Sequence, residues 1–586
     1  MKFLRVGITL FLSARLFANP TGAEVVAGDA VFTSEGQTLS ISTSDKAIIN
    51  YKQFNIDKGE KVQFIQPSSR SCVLNRVTGG KESKILGHLE GNGRVFLVNP
   101  QGVYFGPDSI VNAGSFLATS LSIKDEDFLS DSYQFCLEEG AIGSIINEGT
   151  ILTEGFAALF APNVKNLGNV YARVGKVFVG SAEKVALDIS GDGLIQFRVD
   201  GDLEKALIEN YGKIEAASGE VQISALSARR AIQKVLNTDG IEIAAALEEY
   251  NGCIRLLSSS EVIAKKIHVE ADEVLASGRM DVSNNQFDMA GGVVEILGDK
   301  LELRGALIDA SSEQGSGSVF VGGEYQGSGR LRNAKFTLVD EFSEIKADAY
   351  TLGDGGKVII WSDETTIFNG RVYARGGKEG GNGGFVETSG KENLGIDTGH
   401  VDTSAALGDV GEWLLDPGSI TVVSSGGLGT IGEVTSPNCN TTSDIFINAS
   451  AITSSFTSVT LCAQNSTTSS ITINSPINMA TAGAGLTLTA GIANAGTINL
   501  GSNVTTIGGP IAFNGVVVLS AQVITCSTTN SSSSGANITF SSLVDGAAIG
   551  ANTLTISAGT VGAVTFNGVV GNTTPLAALT VQNAST

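Results

Sequence analysis

Short runs in which apolar and small polar residues alternate recur along most of the chain, as in Val62-Gln-Phe-Ile-Gln66, Leu486-Thr-Leu-Thr-Ala490 and Ala563-Val-Thr-Phe-Asn567. A period of two puts every second side chain on one face, so these runs predict β-strands with one buried side. Leu-rich helical periodicity is scarce. The runs also repeat in order. Val170-Tyr-Ala172 is followed by Gly175-Lys-Val-Phe-Val179, and Ile214-Glu-Ala216 by Gly219-Glu-Val-Gln-Ile223. The same pairing returns at Ile308 with Gly317, Ile345 with Gly355, Val372 with Gly383 and Val401 with Gly411.

Each unit predicts two short strands and a Gly-rich turn, with Gly at the corners for its access to positive φ. No unit carries enough apolar surface to bury itself, so the units must stack. In-register stacking lines up inward Val, Ile, Leu and Phe as columns. The expected fold is therefore all-β: a right-handed parallel β-helix (solenoid) with an N-terminal cap. At roughly 20 to 30 residues per coil and about 4.8 Å per step, the rod would be on the order of 100 Å long.

Composition sharpens this picture. Gly supplies 73 of 586 residues against 10 Pro and 26 Phe, the vocabulary of short strands and turns. Net charge is −22, which would repel a phosphate backbone and excludes nucleic acid as a partner. The last basic residue is Lys391, and beyond Pro417 the only ionised side chains are Glu433, Asp444 and Asp545. That last part, rich in Ser, Thr, Asn and Gly, still alternates at strand period and is expected to continue the solenoid rather than be disordered.

The first residues read as an export signal: Lys2 and Arg5 form a basic start, Val6 to Leu12 an apolar stretch, and Leu16-Phe17-Ala18 a cleavage site before Asn19. The apolar stretch is too short to span a bilayer, and no transmembrane segment is expected in the mature chain. The organisation expected is a signal peptide over 1–18, an export module over 19–255, Gly-rich coils over 256–416 and Ser/Thr/Asn/Gly-rich coils over 417–586. The aromatic-girdled strands of a membrane barrel are not evident near Thr586, so a separate transporter is expected.

The densest motif lies in the first half of the export module and ends the extended β region Ile48 to Gly106: Asn92-Gly-Arg-Val-Phe-Leu-Val-Asn-Pro-Gln-Gly-Val-Tyr-Phe-Gly106. With Ala47-Ile-Ile-Asn-Tyr51 and Leu74-Asn-Arg-Val-Thr-Gly-Gly80, it resembles the N-terminal secretion domain of filamentous haemagglutinin-type exoproteins, the cargo of two-partner secretion. The resemblance implies recognition by periplasmic modules of an outer-membrane β-barrel, passage through it, and a secreted or cell-surface location. The family's Asn-Pro-Asn-Gly-Ile motif falls on Asn99, Pro100, Gln101, Gly102 and Val103, departing at Gln101 and Val103. Asn75, Arg76 and Gly80 fall in its Asn-Arg-Val-x-Gly-Gly region. Physically, Pro100 holds Asn99 extended and Gly102 supplies a turn position, so the stretch reads as a tight, rigid corner.

No enzymatic constellation emerges. His88, His268 and His400 are widely spaced and read as surface or turn residues; neither they nor the six cysteines show metal-ligand spacing. Cys72, Cys136, Cys253, Cys439, Cys462 and Cys526 read as isolated buried thiols. Asp188 with Asp192, Asp125-Glu-Asp127 and Glu248-Glu249 could serve a secreted polysaccharide-cleaving β-helix, but solvated faces explain them more simply. Convergence of an acid with a Lys or Arg in one groove would favour that alternative. The expected function is a non-enzymatic, cofactor-free exported adhesin of haemagglutinin type, meeting a receptor or glycan on host or bacterial surfaces. The stalk of a cytolysin or contact-dependent toxin is a further alternative.

Overall fold

Side chains stack in one long column through the interior. It runs from Ala47 through Val73, Val95 and Phe116 and, farther on, through Val358, Val386, Trp413, Val459, Leu486, Ile511 and Ile538. Every one of these is at most 1% exposed. The computed structural model describes residues 20–585 apart from 139, 140, 142, 189–195, 201–205, 226–252, 258, 285–289 and 426–445. The signal peptide and its Ala18/Asn19 junction lie outside the described residues, as do Asp192, Glu248, Glu249 and Cys439.

Within the coils the strands pair in parallel, each with its counterpart one coil on, giving a parallel β-helix of the right hand that twisted strands impose on parallel crossovers. A coil holds three strands, not the two expected. Lys300–Leu303, Leu307–Asp309 and Ser318–Val321 pair with Phe336–Val339, Glu344–Lys346 and Lys357–Ser362. The third strand follows no Gly-x-Val flag, so the repeat pattern does not reveal it. Each fully buried Val, Leu or Ile contributes about 1.5–3 kcal/mol, and only stacking removes both neighbours of an inner side chain from water.

The ladder is continuous across the expected divisions. Cys253–Leu256 pairs on both sides, and Glu412–Leu415 pairs with Ser458–Ala463. Beyond 417, the register Val459↔Leu486, Leu486↔Ile511, Ile511↔Ile538 and Ile538↔Val564 gives coils of 27, 25, 27 and 26 residues (486−459, 511−486, 538−511, 564−538). Phe513, Phe540 and Phe566 stack there with ring centroids 4.8 Å apart, the coil spacing itself.

The repeat glycines have a steric reason that is not positive φ. A Cβ on Gly356 would lie 2.4 Å from the carbonyl oxygen of Gly317, one on Gly384 2.2 Å from that of Gly356, and one on Gly411 2.1 Å from that of Gly384. Coil sits on coil there with no room for a side chain.

Part of the interior is polar. In the column Phe105, Asn147, Asn166, Asn210, Leu256, the three asparagines are at most 1% exposed. Asn147 Nδ2 donates to Asn166 Oδ1 and Asn166 Nδ2 to Asn210 Oδ1, both at 2.8 Å. Each amide also holds its own turn: Asn147 Oδ1 accepts from the Gly149 N–H, and Asn166 and Asn210 donate to the Gly168 and Gly212 carbonyls.

Two additions cover outward faces. Ser122–Ile123, Tyr133–Cys136, Lys184–Asp188 and Gln196–Asp200 form an antiparallel sheet, and the helix Asp125–Leu129 lies beside its first strands. Phe128, Tyr133 and Phe135 from this unit pack with the outward Leu74, Phe96, Phe160 and Phe178. That explains why Val95-Phe-Leu-Val98 is an unbroken apolar run: it is buried on both sides. Farther along, the loop 322–335 lies over Trp361 and Glu387, which are 4% and 0% exposed; a Cβ on its Gly327 would meet the Trp361 indole at 2.5 Å.

Candidate secretion-recognition site

The Asn99 corner is built from its own backbone outward. The Gly102 N–H donates to the Asn99 carbonyl at 2.8 Å, closing the turn, and Asn99 Oδ1 accepts from the Gln101 N–H at 3.0 Å. Asn99 Nδ2 donates to the Lys81 carbonyl and to Ser83 Oγ, both at 2.9 Å, which ties the corner to the preceding coil. Gly102 has φ +96°, and a Cβ there would sit 2.5 Å from the Ser144 carbonyl of the next coil. Only glycine meets both conditions. Val103 then enters a strand paired with Ser83 on one side and Ile145 on the other.

Asn75 and Arg76 lie one coil back, Arg76 in register with Val98 immediately before the corner. Asn75 is fully buried and donates from Nδ2 to the Phe96 carbonyl at 3.2 Å, while its Oδ1 has no hydrogen-bond partner. Arg76 bridges the helix and the outer unit: its guanidinium lies 2.7 Å from both Asp125 and the Ile123 carbonyl. The structure thus gathers Asn75, Arg76 and Asn99–Val103 into one neighbourhood. Of the corner residues only Pro100 and Gln101 are partly exposed; Asn99, Gly102 and Val103 are interior.

The sequence leads to an N-terminal cap but not to how it is built. Glu24–Ala27 pairs antiparallel with Ala47–Tyr51, and Ala30–Glu35 pairs antiparallel with Thr38–Thr43. Val25, Val26, Val31 and Phe32 stand 38%, 44%, 63% and 39% exposed, apolar side chains open to solvent at the start of the rod. The run Val25-Val26 … Val31-Phe32 ahead of the first repeat is the pattern that marks it.

The acidic and histidine candidates find structural places. Asp125, Glu126 and Asp127 occupy the first turn of the helix Asp125–Leu129, where carboxylates suit the helix dipole. His268 is not a surface residue: it is mostly buried, with Nδ1 2.7 Å from Glu295. Burial alone would lower its pKa, but hydrogen bonds to Glu270 and Glu295 raise it to about 9. His400 lies half-buried in a strand between Tyr373 and Phe456, and burial lowers its pKa. Cys72, Cys462 and Cys526 are buried free thiols, while Cys136, expected inside, is exposed because it faces outward at the end of the outer sheet. Among the described residues no helix is long and apolar enough to cross a membrane.

The model of the TPS secretion domain, the module of two-partner secretion, matches residues 17–266. The crystal structure of the HMW1 secretion domain from Haemophilus influenzae superposes with a TM-score of 0.55 at 30% identity, covering 68% of this chain and 100% of that one. The chain belongs to the two-partner secretion family. Two curated relatives of this secretion-family chain are heme/hemopexin-binding proteins. One, from Haemophilus influenzae strain Rd, is 26% identical over 302 residues, 48% of this chain and 33% of the relative. The other, from Haemophilus influenzae, is 26% identical over 265 residues, 42% of this chain and 28% of the relative. The chain spans about a third of the length of the curated relatives it matches. As a two-partner secretion exoprotein it is secreted.

Proposed function

We propose that this exoprotein is a rod-shaped adhesin of haemagglutinin type. Its leading module, about 19–255, would be recognised by the periplasmic modules of the transporter, and its later coils would meet a receptor or glycan on a host or bacterial surface. The observation that carries the reading is the ladder itself, which runs on beyond the matched secretion module to Val564–Phe566 with the same stacked strands. A repetitive, laterally exposed surface of that length suits display. It acts by binding, without a cofactor.

In this reading Asn75, Asn99, Gly102 and Val103 serve recognition by fixing the corner, and Pro100, Gln101 and the apolar cap present the surface. Expression with the transporter, with and without residues 19–255, tests export: the deletion is expected to stay in the periplasm, and its normal export would refute the assignment. Adherence of cells or beads carrying the intact protein tests the adhesive half, and absence of adherence to epithelial cells and to neighbouring bacteria would refute that half. The relatives' names favour a second reading, binding of haem or hemopexin; haem titration followed by its Soret absorbance separates the two.

A further inference from the structure

A shallow, open groove follows one corner of the helix along its axis. One section, about 640 Å³, lies against Gly317, Gly356, Gly384 and Gly411 and is flanked by Lys357 and Phe385. A second, about 570 Å³, shares Val410, Gly411 and Glu412 with the first and reaches Pro510. The floor is bare backbone, because stacking leaves those glycines no space for side chains. One wall carries Phe385, with a second aromatic ring standing beside it outside the lining. Tyr325, from the loop 322–335, is 40% exposed and meets Phe385 with ring centroids 5.8 Å apart, and the Lys357 ammonium sits 5.6 Å from the Tyr325 centroid. Acids and hydroxyls complete the rim: Asp354, Asp409, Ser318, and Glu412, whose carboxylate accepts from Thr460 Oγ1 at 2.6 Å.

We propose that this groove binds a neutral glycan chain laid along the rod, with a sugar face against Tyr325 and Phe385 and sugar hydroxyls on the rim carboxylates. The proposal rests on the adhesive reading above and gives it a site. Three properties select the ligand. The strands beside the groove, Ser318–Val321, Lys357–Ser362, Phe385–Gly390 and Glu412–Leu415, are paired on both sides, so an extended peptide finds no free edge to join. The two sections are lined by one lysine, Lys357, and three carboxylates, Asp354, Asp409 and Glu412, so a sulfated or sialylated chain, like a nucleic acid, meets net negative charge. Aromatic faces beside a few fixed polar groups are the usual furniture of a small-molecule site, and here the rungs repeat at about 4.8 Å, presenting equivalent positions to a repeating polymer.

The test uses the full-length exported protein on a printed array of neutral and sialylated oligosaccharides, beside the Tyr325→Ala/Phe385→Ala double variant and Ser318→Trp, which plugs the groove. Binding to neutral glycans is expected, weakened at least tenfold in the double variant and lost in Ser318→Trp, with circular dichroism unchanged in both. Preference for sialylated glycans, undiminished binding by the variants, or release of new reducing ends from bound glycan would overturn it. Cell adherence separates the two levels. Variants that adhere like the intact protein leave adhesion standing and remove the groove, whereas an intact protein that neither adheres nor binds the array removes both.

Discussion

Asn166→Ala should open a local weak point in an otherwise apolar ladder. The substitution removes the bond accepted from Asn147 and the one donated to Asn210, each 2.8 Å, together with the tie to the Gly168 carbonyl at 3.3 Å. Asn210 Oδ1 then loses its donor in a site closed to water. An unmet buried polar group costs about 1–3 kcal/mol, and the lost amide volume and the weakened network bring the expected total to ~2–4 kcal/mol. Native-state hydrogen exchange on the full chain reads this directly, as a drop in opening free energy confined to Ile145–Asn147, Asn163–Asn166 and Leu207–Asn210. Replacing Asn147, Asn166 and Asn210 together by Leu should recover only part of the loss, because Phe105 and Leu256 already occupy the same column on either side but the Gly149 N–H then lacks the acceptor that Asn147 supplies. A drop under about 0.5 kcal/mol for the single variant would refute the view that the amide ladder, rather than the surrounding apolar columns, holds these coils.

Other outcomes follow from the same geometry. Gly384→Ala forces a methyl to within 2.2 Å of the Gly356 carbonyl and should lower the melting temperature and the secreted yield, while Gly36→Asn, at a turn with open space around it, should leave both unchanged. His268 has a folded pKa of about 9 against an ordinary 6.5, so its stabilisation is complete below pH 6.5 and lost as pH rises through about 9. His268→Gln should flatten the melting temperature over that alkaline window. Glu387 is pushed up by burial to about 7, so its contribution is full below pH 4.5 and fades as pH rises through 7. In a Trp413→Phe background, Trp361 emission should shift red between pH 6 and 8 as the loop 322–335 loosens, and Glu387→Gln should abolish the shift.

Much of the fold was legible because a strand period of two and a stacked repeat are both written in spacing. Val319, Val358, Val386 and Trp413 follow their glycines at a fixed distance, and each faces the interior. The strand Lys300–Leu303 alternates like the others, Lys300 and Glu302 with Leu301 and Leu303, but no Gly-x-Val flag ties it to the repeat, and only pairing with Phe336–Val339 reveals a third face. The asparagine ladder could have been found from the recurring Asn-x-Gly at 147, 166 and 210, which precedes each (Ile/Val)-x-Ala or related run. At the Asn99 corner, the motif marks where the chain turns but not how its side chains point. Asn99 and Val103 look like presented side chains in a motif, yet hydrogen bonding to the preceding coil and pairing with Ile145 turn them inward. Glu387 was invisible as a buried acid, because what covers it is a loop sixty residues earlier whose Gln326 N–H donates to its carboxylate at 3.1 Å.

Because each coil from Val459 to Val564 contributes the same faces after 25 to 27 residues, the rod's length there behaves as a modular quantity. Excising one whole turn, from the residue after Leu486 through Ile511, would rejoin matching positions and shorten the molecule by about 4.8 Å with every remaining side chain on its original side. Removing a single residue inside a strand would instead exchange inward for outward along that stretch, so reach can vary by whole turns while the interior admits almost no slippage.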